Sequence, residues 1–159
     1  MHDKFALLGV PQGFDEPAAL DEKFRELSRR LHPDRVPKEQ RRKAVEQMTA
    51  VNDAYKTLKD PVRRAEHLLA LRGVNGEPRM SPEFLEQTLE DREKLEEAKE
   101  SGSSLEPLAQ TVRQKRDETL SSVKRLVEGG ELAQAAEMLA RMKYYARYLD
   151  EVEGRSVEM

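Results

Sequence analysis

Residues 20–59 read LDEKFRELSRRLHPDRVPKEQRRKAVEQMTAVNDAYKTLK, and the relation between the two ends of this stretch decides the fold. Leu20, Phe24, Leu27 and Leu31 recur at alternating four- and three-residue steps, the signature of one apolar helix face. Pro33 closes that helix, because its ring disfavours helical geometry at His32 and it has no amide hydrogen to donate. Two prolines fall within residues 32–37, so this segment reads as a tight loop. From Lys38 the helical period returns, with Ala44, Val45, Met48, Val51, Tyr55 and Leu58 on one stripe. A connection of about six residues folds the chain back, so the two helices run antiparallel.

Upstream, a short helix spans Lys4 to Leu8, closed by Gly9 and followed by the breaker Pro11. Asp15 is the expected N-cap of the next helix, with Pro17 in its first turn. Downstream, Asp60 and Pro61 pair an N-cap with a first-turn proline and restart a helix carrying Ala65, Leu68, Leu69 and Leu71. Gly73 stops it, and the stretch to Arg79, with Gly76 and Pro78, reads as a linker.

Three longer helices follow. Ser81 and Pro82 open the first, of about 19 residues ending at Ser101-Gly102. The second runs from Ser104 to Glu128 with Leu105, Leu108, Val112, Thr119, Leu120, Val123 and Leu126 at heptad-like spacing. Gly129-Gly130 turns the chain, and the third spans Glu131 to Glu153, burying Leu132, Ala135, Leu139, Met142, Ala146 and Leu149. Short loops make this an antiparallel three-helix bundle. The expectation is an all-α protein: an N-terminal domain over 1–73, a linker over 74–80 and a C-terminal bundle over 81–159.

Composition bounds the function. The 159 residues are 37% charged and 37% apolar, so each helix buries a narrow stripe and solvates the rest. No run reaches the roughly 18 apolar residues of a membrane span, and no signal-peptide core opens the chain. Without Cys there is no disulfide, thiol nucleophile or Cys-ligated metal, and the expected compartment is the reducing cytoplasm. The net charge of −3 argues against nucleic acid as a partner. That total hides a split. Residues 1–73 hold 15 basic and 12 acidic side chains, for +3, and residues 74–159 hold 13 and 19, for −6. A basic half beside an acidic half suggests faces for two different partners.

The loop His32-Pro33-Asp34 admits three readings. As an acid–base pair it has no nucleophile in a recognisable setting and no phosphate-cradling glycine loop beside it. As a metal site it would need His2, His32 and His67, which share no ligand spacing. As a structural element, Asp34 would cap the next segment. The surroundings shift the balance. Arg25, Arg29, Arg30, Arg35, Lys38, Arg41, Arg42 and Lys43 flank the loop, and the second helix runs through VNDAYKTLKDPVRRA over residues 51–65. This arrangement, over about residues 3–70, resembles a J-domain. The resemblance implies that His32, Pro33 and Asp34, with the basic face of Arg25, Arg29 and Arg30, dock onto an ATP-bound DnaK-class chaperone and stimulate its ATPase.

The rest of the chain selects the branch. Arg64-Ala65-Glu66-His67-Leu68-Leu69 and the segment FLEQTLEDREKL over 84–95 resemble the HscB family, J-proteins of iron–sulfur cluster assembly whose helical bundle binds the cluster scaffold. Eukaryotic members often carry an N-terminal cysteine zinc module, whereas this chain begins directly at its J-domain. Helical geometry is consistent with a scaffold surface. Phe84, Thr88, Asp91, Leu95 and Ala98 share one stripe, and Leu85 and Leu89 fall off it, in a segment (83–100) holding 8 acids and 3 bases. Tyr144 is expected opposite the core stripe of its helix. Leu85, Leu89 and Tyr144, rimmed by Glu90, Glu93 and Glu97, are the expected scaffold contacts.

The sequence reading is therefore a monomeric, cytoplasmic co-chaperone, not an enzyme, with no cofactor and no metal. Its expected partners are a DnaK/HscA-class chaperone and an iron–sulfur scaffold, with neither membrane nor nucleic acid involved. The alternatives are a J-protein with another client, an enzyme using His32 and Asp34, or a purely structural helical protein.

Overall fold

A computed structural model describes residues 2–74 and 80–154, and every regular element among them is helical. The elements are α1 (Lys4–Leu8), α2 (Leu20–Arg30), two 3₁₀ turns (Pro33–Arg35 and Lys38–Gln40), α3 (Arg41–Lys59), α4 (Pro61–Leu71), α5 (Pro82–Ser101), α6 (Glu106–Glu128) and α7 (Leu132–Val152). The chain divides into two compact units, Met1–Gly73 and Val74–Met159. Residues 75–79, most of the expected linker, lie outside the described residues.

The first unit is built on the α2–α3 hairpin. Asp21, at the start of α2, receives a hydrogen bond from Nζ of Lys59, at the end of α3 (3.1 Å), which fixes the pair as antiparallel. Phe24 and Tyr55 stack between the helices with centroids 4.1 Å apart. Helix α1 closes the unit from its far end. Asp3 caps it through the amides of Phe5 and Ala6, and Gly9 ends it at φ 70°, a conformation that favours glycine. Nζ of Lys4 donates to Oγ1 of Thr57 (3.1 Å) and pairs with Asp53 (2.9 Å), so α1 is pinned along α3. The Lys4 amide donates to Nε2 of buried His67 (3.0 Å), pinning it to α4 as well. Phe5, Leu8, Leu20, Val51, Ala54, Leu58, Leu68 and Leu69 fill the core.

Three expectations for this unit are corrected. Asp15 is not the N-cap of α2, which begins at Leu20 after Ala19. The preceding segment is held as irregular chain, because Phe14 and Pro17 are buried and Nε of Arg64 donates to the Phe14 carbonyl (2.8 Å). The hairpin loop spans the ten residues 31–40, longer than expected. Val36, preceding Pro37, is extended (φ −116°, ψ 156°) as its position demands, and Lys38–Gln40 form only a 3₁₀ turn before α3 begins. Val45 is 50% exposed, because it sits about 100° around the helix from core-facing Ala44. Ala54 and Thr57 take the inward places instead.

The second unit is an α6–α7 hairpin with α5 packed on it. Gly130 makes the hairpin turn at φ 78°. Phe84 and Leu95 of α5 join Ala109 and Val112 of α6 and Tyr145, Tyr148 and Leu149 of α7 in one buried cluster. Arg92 and Lys99 of α5 both pair with Glu151 of α7, the lysine at 3.1 Å. Helix α6 starts at Glu106 and not at Ser104, with Leu105 as its N-cap. Along α7, Ala146 is half-buried, whereas Tyr145 and Tyr148 are buried. A helix packed against two neighbours buries a wider arc than one stripe, and this also brings in Ala109 and Val127 of α6.

Candidate partner-binding surfaces

The His32-Pro33-Asp34 tripeptide projects from the first unit as a single 3₁₀ turn. Nδ1 of His32 accepts from the Asp34 amide (3.2 Å), and the Arg35 amide donates to the His32 carbonyl (2.9 Å). These local bonds and the fixed φ of Pro33 hold the turn without burying it. The Asp34 side chain is 86% exposed, and its Oδ2 lies 3.6 Å from Nδ1 of His32. A carboxylate this exposed suits a charge-assisted bond to a partner cation. Arg25, Arg29 and Arg30 are all exposed on α2, which leads into the turn, and Arg35, Lys38, Arg41, Arg42 and Lys43 continue the positive surface beyond it.

The opposite end of the α2–α3 hairpin is tied together by a buried arginine. Arg64 is almost fully buried and donates from Nε to the Phe14 carbonyl and from Nη1 to the Leu58 carbonyl (2.7 Å). It therefore ties α4, the end of α3 and the pre-α2 segment together. His67 is buried and stacked on Phe5, with centroids 5.7 Å apart. Burial, aided by the nearby Lys4 ammonium, holds its pKa below the ordinary 6.5. His2, His32 and His67 serve separate places, and among the described residues no group of three His, Cys, Asp or Glu is arranged to hold a metal ion.

The second unit carries the other candidate surface. Leu85 is 50% and Leu89 65% exposed, one turn apart on α5, and Glu90, Glu93 and Glu97 are exposed around them. Tyr144 differs from expectation. It is half-buried against the core, its ring meeting Phe84 edge-on at 5.7 Å, and its Oη donates to the Thr88 carbonyl (3.4 Å). Burial raises its pKa to about 12. The reason is the width of the α7 core: Tyr144 is adjacent to Tyr145, and its ring reaches across to α5 rather than out to solvent.

Sequence reasoning missed Arg141. It lies between the buried positions Leu139 and Met142 on α7, with its guanidinium 4.8 Å from the centroid of the Phe84 ring. The available signal was a cation placed inside an apolar arc, four residues before Tyr145.

A helical hairpin with an exposed His-Pro-Asp turn between a basic helix and a long partner helix defines a J-domain, and the DnaJ domain family matches residues 3–67. Proteins of this class act as co-chaperones. The family described as the HSCB C-terminal oligomerisation domain matches residues 80–153. A co-chaperone protein HscB homolog of Shewanella baltica is 34% identical over 166 residues, covering 93% of each chain. One from Cupriavidus taiwanensis is 40% identical over 140 residues, covering 81% of this chain and 79% of its own. Among solved structures, chaperone HscB from Vibrio cholerae superposes with a TM-score of 0.81 at 33% identity, covering 96% of both chains. The human co-chaperone protein HscB gives 0.85 at 28% identity, covering 96% of this chain and 81% of the human one. The chain belongs to the HscB family, the J-domain co-chaperones of iron–sulfur cluster assembly.

Proposed function

We propose that this protein brings an iron–sulfur scaffold protein to a DnaK/HscA-class chaperone and triggers ATP hydrolysis there, using one unit for each partner. The observation that carries the reading is the exposed, pre-shaped His32-Pro33-Asp34 turn at the end of a basic helix. Asp34 supplies a carboxylate, and Pro33 limits the freedom lost on docking. Arg25, Arg29 and Arg30 steer an acidic chaperone surface and raise the encounter rate. Leu85 and Leu89 supply apolar anchors for the scaffold, and Glu90, Glu93 and Glu97 form the acidic rim. Tyr144 contributes the part of its ring that is not packed on Phe84. The corresponding domains are 1–73 for the chaperone, 74–80 as linker and 81–159 for the scaffold.

On this reading the protein has no reaction of its own and needs no cofactor. It works as a monomer, because the apolar stripes are largely used up inside each unit. It acts in the cytoplasm, a proposal supported by the absence of Cys and by the lack, among the described residues, of a helix long and apolar enough to cross a membrane. The test is a steady-state ATPase assay. The purified chain alone hydrolyses nothing, accelerates a DnaK-class chaperone, and accelerates it further with scaffold present. Hydrolysis by the chain alone, or no stimulation, overturns the reading. Sedimentation velocity checks the oligomeric state, a pointed question given that the family description of the second unit names oligomerisation.

A further inference from the structure

Helix α1 is five residues long, too short to keep its shape without tertiary contacts. Phe5 and Leu8 anchor it in the core, and three polar ties fasten its first residue. Nζ of Lys4 pairs with Asp53 and donates to Oγ1 of Thr57, both on α3. The Lys4 amide donates to Nε2 of His67 on α4 (3.0 Å). The ion pair contributes little, because the Asp53 side chain is 64% exposed. The bond to His67 differs in kind. A backbone amide can only donate, so Nε2 must carry a lone pair and the ring must be neutral, its remaining proton on Nδ1. A proton added to Nε2 would set two donors face to face beside the Lys4 ammonium. Two acids also face the ring, Asp3 before α1 and Asp53 on α3, and both are engaged elsewhere. Asp3 accepts from the Phe5 and Ala6 amides and from Gln12, and Asp53 holds Lys4.

We propose that His67 is a proton-operated latch on α1: the neutral ring holds the helix in place, and protonation of Nε2 releases it as a local opening. The rest of the unit has ties of its own. Lys59 bonds Asp21, Phe24 stacks on Tyr55, and Arg64 joins α4 to the end of α3 and the segment before α2. Helix α1 leads the unit, so it can leave without breaking any of these. The sign of the effect follows from linkage. Burial, and then the Lys4 ammonium, keep the docked ring's pKa below 6.5 against the attraction of Asp3 and Asp53. The released ring returns toward 6.5, so docking is strongest above pH 6.5 and weakens as pH falls through 6.5 toward the docked value. Asp3 does not titrate in that window. Burial opposes its ionisation, but its bonds from Gln12, Ala6 and Phe5 keep its pKa below the ordinary 3.8.

The experiment is amide hydrogen exchange on the full chain, read by ¹H–¹⁵N NMR at pH 7.5 and 5.5 in low urea and corrected for intrinsic rates. The reporters are the amides of Lys4, Leu7, Gly9 and Val10, which bond to His67 Nε2 and to the Asp3, Ala6 and Phe5 carbonyls. Val51, Ala54 and Leu58 of α3 report global unfolding. The α1 amides should open far more often than those of α3 and with a much smaller urea slope, the mark of a local event. Their opening constant should rise severalfold at pH 5.5, to a ceiling of about tenfold set by one proton over the unit below 6.5. His67→Gln keeps an acceptor for the Lys4 amide and should abolish that rise, which separates His67 from the exposed His2 and His32. If the variant fails to fold, the ring ¹⁵N shifts of the wild-type chain decide, the expected result being a neutral ring protonated on Nδ1 that titrates below 6.5. Four results overturn the proposal: one opening constant and urea slope shared by α1 and α3, no change in α1 opening with pH, an undiminished rise in His67→Gln, or titration of His67 at or above 6.5.

Discussion

Asp34→Asn removes one charge from a side chain that is 86% exposed and whose backbone, not its carboxylate, makes the turn's bonds. The melting temperature should stay within error of wild type while stimulation of the chaperone ATPase falls by at least tenfold; retained stimulation would remove this loop from the chaperone contact. Arg64 is the opposite case. Arg64→Met keeps apolar bulk but strips two buried carbonyls, those of Phe14 and Leu58, of their donor. The expected loss is about 2–4 kcal/mol of unfolding free energy, read from urea titration. His67 gives the unit a pH dependence of definite sign. Burial lowers its folded pKa below 6.5, so between the folded and unfolded values the unfolded chain binds more protons. Stability is full above pH 6.5 and declines as pH falls through 6.5 toward the folded value. Urea midpoints at pH 7.5 and 5.5 should differ in that direction, and His67→Gln, which keeps an acceptor for the Lys4 amide, should flatten the difference.

At the scale of a helix, exposure and burial decide which substitutions report on binding. Leu85→Ala with Leu89→Ala should weaken scaffold affinity at least tenfold and shift folding stability by only about 0.5 kcal/mol per site, since both side chains are largely solvated. Calorimetric titration beside a thermal melt separates the two effects. A steep drop in melting temperature at unchanged affinity per folded molecule would mean that these leucines are packing groups. Tyr144→Ala does not belong in that test, because its ring packs on Phe84 and its loss would destabilise the unit directly. Helix existence, type and most ends were legible because the signals are local: Asp3, Asp60 and Ser81 each cap the helix that follows. The same local logic placed Leu85 and Leu89 off the core stripe of α5. What stayed illegible depends on distant contacts. Asp15 looks like a cap until Arg64, far along the chain, claims the Phe14 carbonyl and holds the segment irregular. Tyr144 looks exposed until α5 arrives to cover it, and Arg141 is one cation among 28 until Phe84 is known to lie beneath it.

For the molecule as a whole, each unit has its own core, Phe5 to Leu69 in the first and Phe84 to Leu149 in the second. A fragment of residues 1–74 should therefore fold, with a cooperative thermal transition, and should stimulate the chaperone ATPase without the further increase that scaffold gives the full chain. An unfolded fragment would refute the two-unit division. The first unit also has an unusual closure: its opening helix is bonded to His67 of its last one, 63 residues away, and to Thr57 and Asp53 near the end of α3. On the ribosome this sets an order of events. Translation proceeds at about 5–20 residues per second, so α1 waits roughly 3 to 13 s for the residues that hold it. A nascent chain arrested near residue 55 has made every cation of the chaperone-facing surface yet lacks the segment that locks α1 in place. Chaperone recruitment during synthesis should thus begin abruptly, once α4 has cleared the exit tunnel, rather than growing with chain length.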